Sequence, residues 1–260
     1  MTTTRSREHS RRPSSLATVR RIAAQLRGDP RAVALILVVP PLLLLLLHQV
    51  FVDVPTPPGR PGPFATIGPI MLAVIPMFLM FIVTSVTMLR ERVSGTLERL
   101  LTTPLRRWNL IASYAVVFGL LAVVQSLLSV LLLLGPLDVA IEGPAWGFLL
   151  LSLLSAVIGV AFGLLASAFA RTEFQAVQFM PVFITPQVFL CGLLVPKDQM
   201  PEFLGTITEW LPMTWAVDVV QEMLETPELG SGSWLRLALL AGTALLALAT
   251  AAVSMPRRTR

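Results

Sequence analysis

Long uncharged apolar runs alternate along this chain with short charged stretches. Six runs stand out, at about 32–52, 67–89, 108–134, 145–170, 174–196 and 234–255. A hydrocarbon core about 30 Å thick is crossed by roughly 20 apolar residues in a helix. Backbone polar groups in lipid must be satisfied within the segment, so runs of this length are helices. The pattern predicts an all-α membrane protein with six transmembrane helices. Pro40 and Pro41 are expected to kink the first, and Pro181 and Pro186 to interrupt the fifth, because proline lacks the amide donor.

The segments between the runs carry their own periodicity. Leu16, Val19, Ile22, Ala23 and Leu26 fall on one helical face, with Arg20, Arg21 and Arg27 around the rest. Residues 14–31 therefore predict an amphipathic helix lying in the membrane interface. Residues 1–13 read as a disordered basic tail, 32–256 as a single six-helix transmembrane domain, and 257–260 as a second basic tail. After the fifth run, PEFLGTITEWL and PMTWAVDVVQEML each begin with proline and keep helical apolar spacing. They predict two short helices at the outer face, with Trp210 and Trp215 at headgroup depth. Such a pair serves either as a structured lid over an exit path or as a plain interfacial loop.

The stretch RERVSGTLERLLTTPLRR, residues 90–107, sits between two runs that carry no charge. Leu97, Leu100, Leu101 and Leu105 make an apolar stripe, Ser94 and Gly95 offer a cap, and Glu98 suits the first turn. Thr103-Pro104 ends the helix, since the residue before proline avoids the α region. About two turns of helix are too few to stand alone in water. The segment must pack on headgroups and its own spans, or on a cytoplasmic partner.

Charge placement orients the chain. Counting Lys and Arg gives 17 on the side of both termini and of residues 90–107, against three on the other: Arg60, Lys197 and Arg236, the last just inside the start of the sixth run. By the positive-inside rule, both termini are cytoplasmic. The net charge of +5 thus reflects topology and anionic headgroups, and nucleic acid is a poor partner. Charged residues make up 13% of the chain, about half of what soluble domains carry, with a mean hydropathy of +0.76. The first run starts too late and is too long for a signal peptide. A single cysteine, Cys191, permits no intrachain disulfide, and no Cys/His metal spacing exists.

Candidate chemistry is sparse. No glycine-rich phosphate loop is present, and Lys197 is the sole lysine, so nucleotide hydrolysis would have to come from another chain. No ionisable group lies near the middle of a run, which argues against a proton- or sodium-driven carrier. Paired acids and Ser/His pairs are absent from the runs, which argues against an intramembrane enzyme. Polar and aromatic candidates for a substrate path are Gln125, Gln178, Phe179, Phe183, Gln187 and Phe189, each alternatively a packing or lipid-facing residue. Gly159 and Gly163 form a GxxxG pattern in the fourth run, read first as packing within the chain.

Residues 90–111, RERVSGTLERLLTTPLRRWNLI, resemble the loop between the second and third spans of type-2 ABC export permeases, including daunorubicin-resistance-type drug exporters. The matching positions are Glu91, Gly95, Thr96, Glu98, Leu100, Leu101, Thr103 and Pro104. A second block resembles the family at Pro186, Gly192, Pro196, Met200, Pro201, Pro212 and Thr214. The resemblance implies the membrane subunit of an ATP-driven exporter in a bacterial plasma membrane, moving a hydrophobic or amphipathic drug, antibiotic or lipid. It implies a coupling helix carried by Glu91, Arg92, Gly95, Thr96, Leu97, Glu98, Arg99, Leu100, Leu101, Thr103 and Pro104, seated in a separate ATPase subunit. ATP and Mg would bind that partner and no cofactor this chain, and the interfacial helix would connect to it. A second permease chain would complete a homodimer. An outer lid would involve Pro196, Met200, Pro201, Trp210, Pro212, Thr214 and Trp215. The alternative is a secondary transporter or a non-transporting scaffold without an ATPase.

Overall fold

The computed structural model describes residues 15–57, 61–94 and 107–254. Among these, all regular structure is helical: α1 (Ser15–Arg27), α2 (Pro30–Phe51), α3 (Pro63–Val93), α4 (Arg107–Leu134), α5 (Ala145–Phe169), α6 (Glu173–Leu190), a 3-10 turn (Lys197–Gln199), α7 (Glu202–Thr208), α8 (Pro212–Glu225) and α9 (Ser231–Ser254).

Local sequence sets the helix ends. Asp29 precedes α2 and its carboxylate accepts the Ala32 N–H at 3.1 Å, while Pro30 fills a first-turn position whose amide would be unpaired anyway. Thr172 caps α6 in the same way, accepting from Gln175 N–H at 3.1 Å. α3 opens at Pro63 and α8 at Pro212. Inside α2, α3 and α6, paired prolines leave the helices continuous, as neighbouring helices allow in membrane bundles.

Five helices are long and apolar enough to cross a membrane: α2, α3, α4, α5 and α9. The remaining expected span, the fifth in chain order, is shorter than the sequence pattern suggests. It was expected to reach Pro196, but α6 has 18 residues and stops at Leu190. Two features explain this. Gly192 takes φ +88°, a left-handed conformation that glycine adopts without strain and that ends the helix. Glu173, Gln175, Gln178 and Gln187 also dilute its apolar character. Conversely, α3 is longer than expected at 31 residues, and its last turn takes in Arg90, Glu91 and Arg92.

α5 is the central helix, packed against α3, α4, α6, α8 and α9. Its GxxxG pattern faces α3 within the same chain. A Cβ on Gly159 would stand 2.2 Å from the Met77 carbonyl oxygen, and one on Gly163 2.6 Å from that of Phe81. Only glycine permits backbones to approach this closely. Around the contact lie the buried Leu72, Met77, Phe81, Phe148, Leu151 and Ile158. A second cluster joins α1 to the bundle through Ile22, Leu26, Ile36, Tyr114 and Phe118. α2 buries only Ile36, Pro40 and Leu44, a single stripe at spacings of four; Leu35, Leu42 and Leu46 remain exposed, as suits a lipid-facing helix.

The chain folds up and down, giving two ends. At one, the end of α3 meets α1 and the turn between α5 and α6. At the other, the loop before α5 hydrogen-bonds α8 through Gly143 N–H and the Met223 carbonyl, at 2.8 Å. The Trp146 and Trp234 rings stack there with centroids 5.9 Å apart, both half exposed, where aromatic belts sit in membrane proteins. The two short helices expected after the fifth run are present as α7 and α8. α8, however, is no surface helix: Met213, Ala216, Val217, Val219 and Val220 are fully buried against α3, α5, α6 and α9.

Candidate functional site

The last turn of α3 leads into the charged stretch. Successive helical residues are rotated by about 100°, so three neighbours fan out in three directions. Arg90 reaches α6: its Nε and Nη2 donate to the two Glu173 carboxylate oxygens at 2.8 and 3.0 Å. That hydrogen bond holds the Glu173 acid below its ordinary range. Glu91 turns inward to α1, where Arg21 Nη2 donates to both its oxygens at 3.2 Å. Glu91 is 3% exposed.

Arg92 reaches the end of α5. Its guanidinium donates to the carbonyls of Ser167 and Ala168 at 2.6 and 2.8 Å, and also to that of Ala170. A helix leaves its last carbonyls without intrahelical partners and carries partial negative charge there. Arg92 answers both needs from another helix, in the manner of a C-terminal cap.

Energetically the three ties differ. Arg90–Glu173 is exposed on both sides and stabilises by about 0–1 kcal/mol. The Arg92 contacts are charge-assisted, and such hydrogen bonds contribute about 1.5–3 kcal/mol. Glu91 is the group that cannot be left alone, because an unpaired charge in a dry site is strongly destabilising. Glu91 and Arg92, both expected in the coupling loop, thus have their charges engaged within the chain. They anchor the loop's foot. Gly95, Thr96, Leu97, Glu98, Arg99, Leu100, Leu101, Thr103 and Pro104 lie outside the described residues.

The residues read as a substrate path are not brought together. Gln125 is wholly buried on α4, with neither amide atom hydrogen-bonded. The other five sit on α6, against which α4 makes no substantial contact. Gln187 ties two helices: its Nε2 donates to the Phe183 carbonyl at 2.7 Å, and its Oε1 accepts from Met213 N–H in the first turn of α8 at 3.2 Å. Phe183 packs its ring on Phe81 and Phe162, with centroids 6.2 and 6.0 Å away. Phe179 packs against the main core. Gln178 and Phe189 are exposed on α6.

The residues read as a lid cluster at the α8 end. Pro212 and Thr214 are buried in α8, Pro196 and Pro201 are exposed, Met200 is half-buried, and Trp210 is 76% exposed. Trp215 donates its indole N–H to the Glu209 carbonyl at 2.7 Å. An ion cluster absent from the sequence reading holds this region. Asp218 accepts from Lys197 and pairs with the Arg236 guanidinium, whose Nε lies 3.2 Å away. Glu222 accepts from Gly230 N–H at 2.7 Å and Ser233 Oγ at 2.5 Å, fixing the turn into α9. Among the described residues no group of His, Cys, Asp or Glu could hold a metal.

These helices fall within a recognised pattern: residues 15–224, from the start of α1 nearly to the end of α8, match the ABC-2 type transporter family. The chain belongs to that family. It is a multi-pass membrane protein, as its apolar helices require. The ABC-2 match takes in all three ties at the foot of the α3–α4 connection. Relatives include the probable multidrug ABC transporter permease YbhR of Escherichia coli, 29% identical over 60% of this chain and 42% of its own length. The inner membrane transport permease YhhJ of E. coli is 30% identical over 56% of this chain and 39% of its own. The linearmycin resistance permease protein LnrN of Bacillus subtilis is 32% identical over 53% of this chain and 36% of its own. The alignments therefore span about two fifths of each relative.

The partners of the three ties escaped the sequence reading. Arg21 was one of several arginines on an amphipathic helix, and nothing local couples it to a residue 70 positions on. Glu173 did carry a signal, as an acid in the first turn of a helix. The carbonyl acceptors of Arg92 carry none, because every residue has one.

Proposed function

We propose that this ABC-2 chain is the membrane-spanning subunit of an ATP-driven exporter, in a bacterial plasma membrane, with ATP and Mg handled by a separate ATPase subunit. The reading rests on one observation: Arg90, Glu91 and Arg92 tie the foot of the α3–α4 connection to α6, α1 and α5 at once. A displacement imposed on that connection is passed to three elements together. Coupling of this kind needs contacts that differ between two states, and ion pairs at a helix end supply them. The relatives named as multidrug and linearmycin-resistance permeases support a hydrophobic or amphipathic cargo.

In this reading α6 is the fifth span. Its helical residues from Phe174 onward rise about 26 Å, close to the hydrocarbon thickness, residues 191–196 complete the crossing, and Glu173 stays outside it. The α1 end then faces the cytoplasm, and the α3–α4 connection is the part that the ATPase engages. Two copies of the chain pair to enclose the cargo, and α7, α8 and the Lys197–Gln199 turn close the outer side.

The test is a pull-down of the tagged full-length chain from mild detergent, with an ATPase assay and a transport assay in the assembled complex. Glu98→Ala and Leu101→Asp are expected to abolish transport while membrane insertion persists. Transport at the unmodified rate in both variants, or a folded chain purified from its native membrane without any ATPase, overturns the reading.

A further inference from the structure

Residues 192–210, between α6 and α8, are lightly held. Leu194, Val195, Phe203 and Trp210 are exposed, and α7 buries only Thr208. Among the described residues, two polar side-chain contacts tie this segment to α8. Trp215 donates to the Glu209 carbonyl near the segment's end, and Lys197 pairs with Asp218 near its start.

The lysine reaches Asp218 by folding back over the chain. Gly192 ends α6 at φ +88°, and a Cβ there would stand 3.5 and 3.6 Å from Lys197 Cγ and Cε. The lysine stem therefore lies across the turn at the end of α6. The neighbouring Cys191 is wholly buried, its thiol donating to the Val188 carbonyl at 3.3 Å.

Asp218 does not depend on that lysine. Arg236 Nε lies 3.2 Å from its carboxylate, and the same guanidinium lies 3.9 Å from Glu222. This second pairing joins α8 to α9, which pack on each other. When Lys197 leaves, Asp218 keeps a cation, so no charge is stranded on a side chain only 15% exposed. The departing ammonium finds water, because the Lys197 side chain is 34% exposed and borders an open polar cavity of about 330 Å³. Losing Arg236 would instead leave Asp218 and Glu222 with Lys197 alone. The contact on the lightly held segment is thus the one that breaks easily, and the contact inside the bundle is the lasting one.

We propose that Lys197 and Asp218 form a releasable latch. It holds residues 192–201 closed over the end of α6 and opens while Asp218 stays paired with Arg236. In the exporter proposed above the latch bars the outer exit, a role that rests on that reading; the latch itself does not.

Cys191, the sole cysteine of the chain, is the probe. In the full-length chain in detergent, N-ethylmaleimide reaches this buried thiol when the turn lifts. Lys197→Met keeps the stem and drops the charge. It is expected to raise the labelling rate about fivefold, as release of one partly exposed ion pair allows, with the unfolding temperature nearly unchanged. Lys197→Arg is expected to restore the slow rate. Arg236→Met is expected to lower the unfolding temperature more than Lys197→Met does. Labelling that Lys197→Met leaves unchanged overturns the proposal. Labelling equally fast in Lys197→Arg also does, because charge would then not be what holds the turn. An unfolding temperature lowered as far by Lys197→Met as by Arg236→Met overturns it too, since the pair would then belong to the bundle. In the assembled complex, ATP turnover is expected to speed labelling of the unmodified chain. A turn that answers to Lys197→Met and not to ATP removes the latch from the transport cycle. Absence of any bound ATPase sinks the exporter reading and leaves the latch standing on the detergent result.

Discussion

Arg21 on α1 and Glu91 on the last turn of α3 meet across 70 positions of sequence, with one guanidinium nitrogen 3.2 Å from both carboxylate oxygens. The carboxylate is nearly sealed from solvent, whereas the guanidinium is 31% exposed. Removing the arginine therefore harms more than removing the acid. Arg21→Ala is expected to lower stability by about 1–3 kcal/mol, since it leaves a buried charge unpaired. Glu91→Gln is expected to cost less, and Arg21→Ala combined with Glu91→Gln to cost less than Arg21→Ala alone. Thermal unfolding in detergent measures all three. A double variant as unstable as the sum of the singles would break the pairing.

The Arg90–Glu173 tie makes an acid-sensitive contribution. The hydrogen bond from Arg90 lowers the folded-state pKa of Glu173, so the unfolded chain takes up the proton first as pH falls. The stability it contributes is present above the ordinary carboxylate range and is lost as pH drops through the depressed value. Both partners are half exposed or more, so salt screens the effect. Glu173→Gln is expected to flatten the acid side of the unfolding-temperature profile at low ionic strength and to change little at high salt. Equal profiles for both proteins at low salt would remove this contribution.

Gly159 tolerates no side chain. The carbonyl that a new Cβ would strike belongs to α3 backbone just past Pro76, so no rotamer change relieves the contact. Gly159→Ala is expected to cost about 1–3 kcal/mol through overpacking. Gly119, where a Cβ would meet nothing, serves as control: Gly119→Ala is expected to be neutral or slightly stabilising. The measurement is resistance to detergent-induced unfolding.

Gln125 lies buried on α4, with its amide nitrogen and oxygen both lacking partners. Nearby, Ser126 and Ser152 satisfy one another at 2.9 Å between α4 and α5. An unsatisfied buried amide is costly, and an apolar group of similar size removes the penalty. Gln125→Leu is expected to raise the unfolding temperature. If it also leaves transport intact, Gln125 has no place in the cargo path; a large loss of transport in a stabilised protein would put it there.

Several of these features were legible in the letters alone. Hydropathy located α2, α3, α4, α5 and α9 to within a few residues, because a long uncharged run has one solution in lipid. The close contact at Gly159 and Gly163 followed from their spacing. The end of α6 did not. The apolar letters run on to Pro196, and only the positive φ at Gly192 reveals that the helix has stopped. α8 was legible as a helix but not as a buried one, since its apolar stripe says that a face is covered and not by what. Gln187 looked like a polar lining residue. Its two hydrogen bonds lie within one turn and across to Met213, a relationship set by tertiary packing. The ties of Arg90, Glu91 and Arg92 escaped for the same reason, because charge at a helix end names a sign and not a partner.

The seam between α3 and α5 bears on how such a machine moves. At Gly159 and Gly163 one main chain rests directly on another, so there are no interdigitating side chains to slip past each other. Shear slides such layers past one another, and the two backbone contacts at Gly159 and Gly163 pin the seam against it. α3 and α5 therefore travel as a single strut. The give in the structure belongs to α2, held by one narrow stripe, and to α6, short and lacking two amide donors at Pro181 and Pro186. In the proposed exporter, a push delivered at the foot of α3 is expected to turn the strut as a whole, with those two flanking helices as the joints that flex around it.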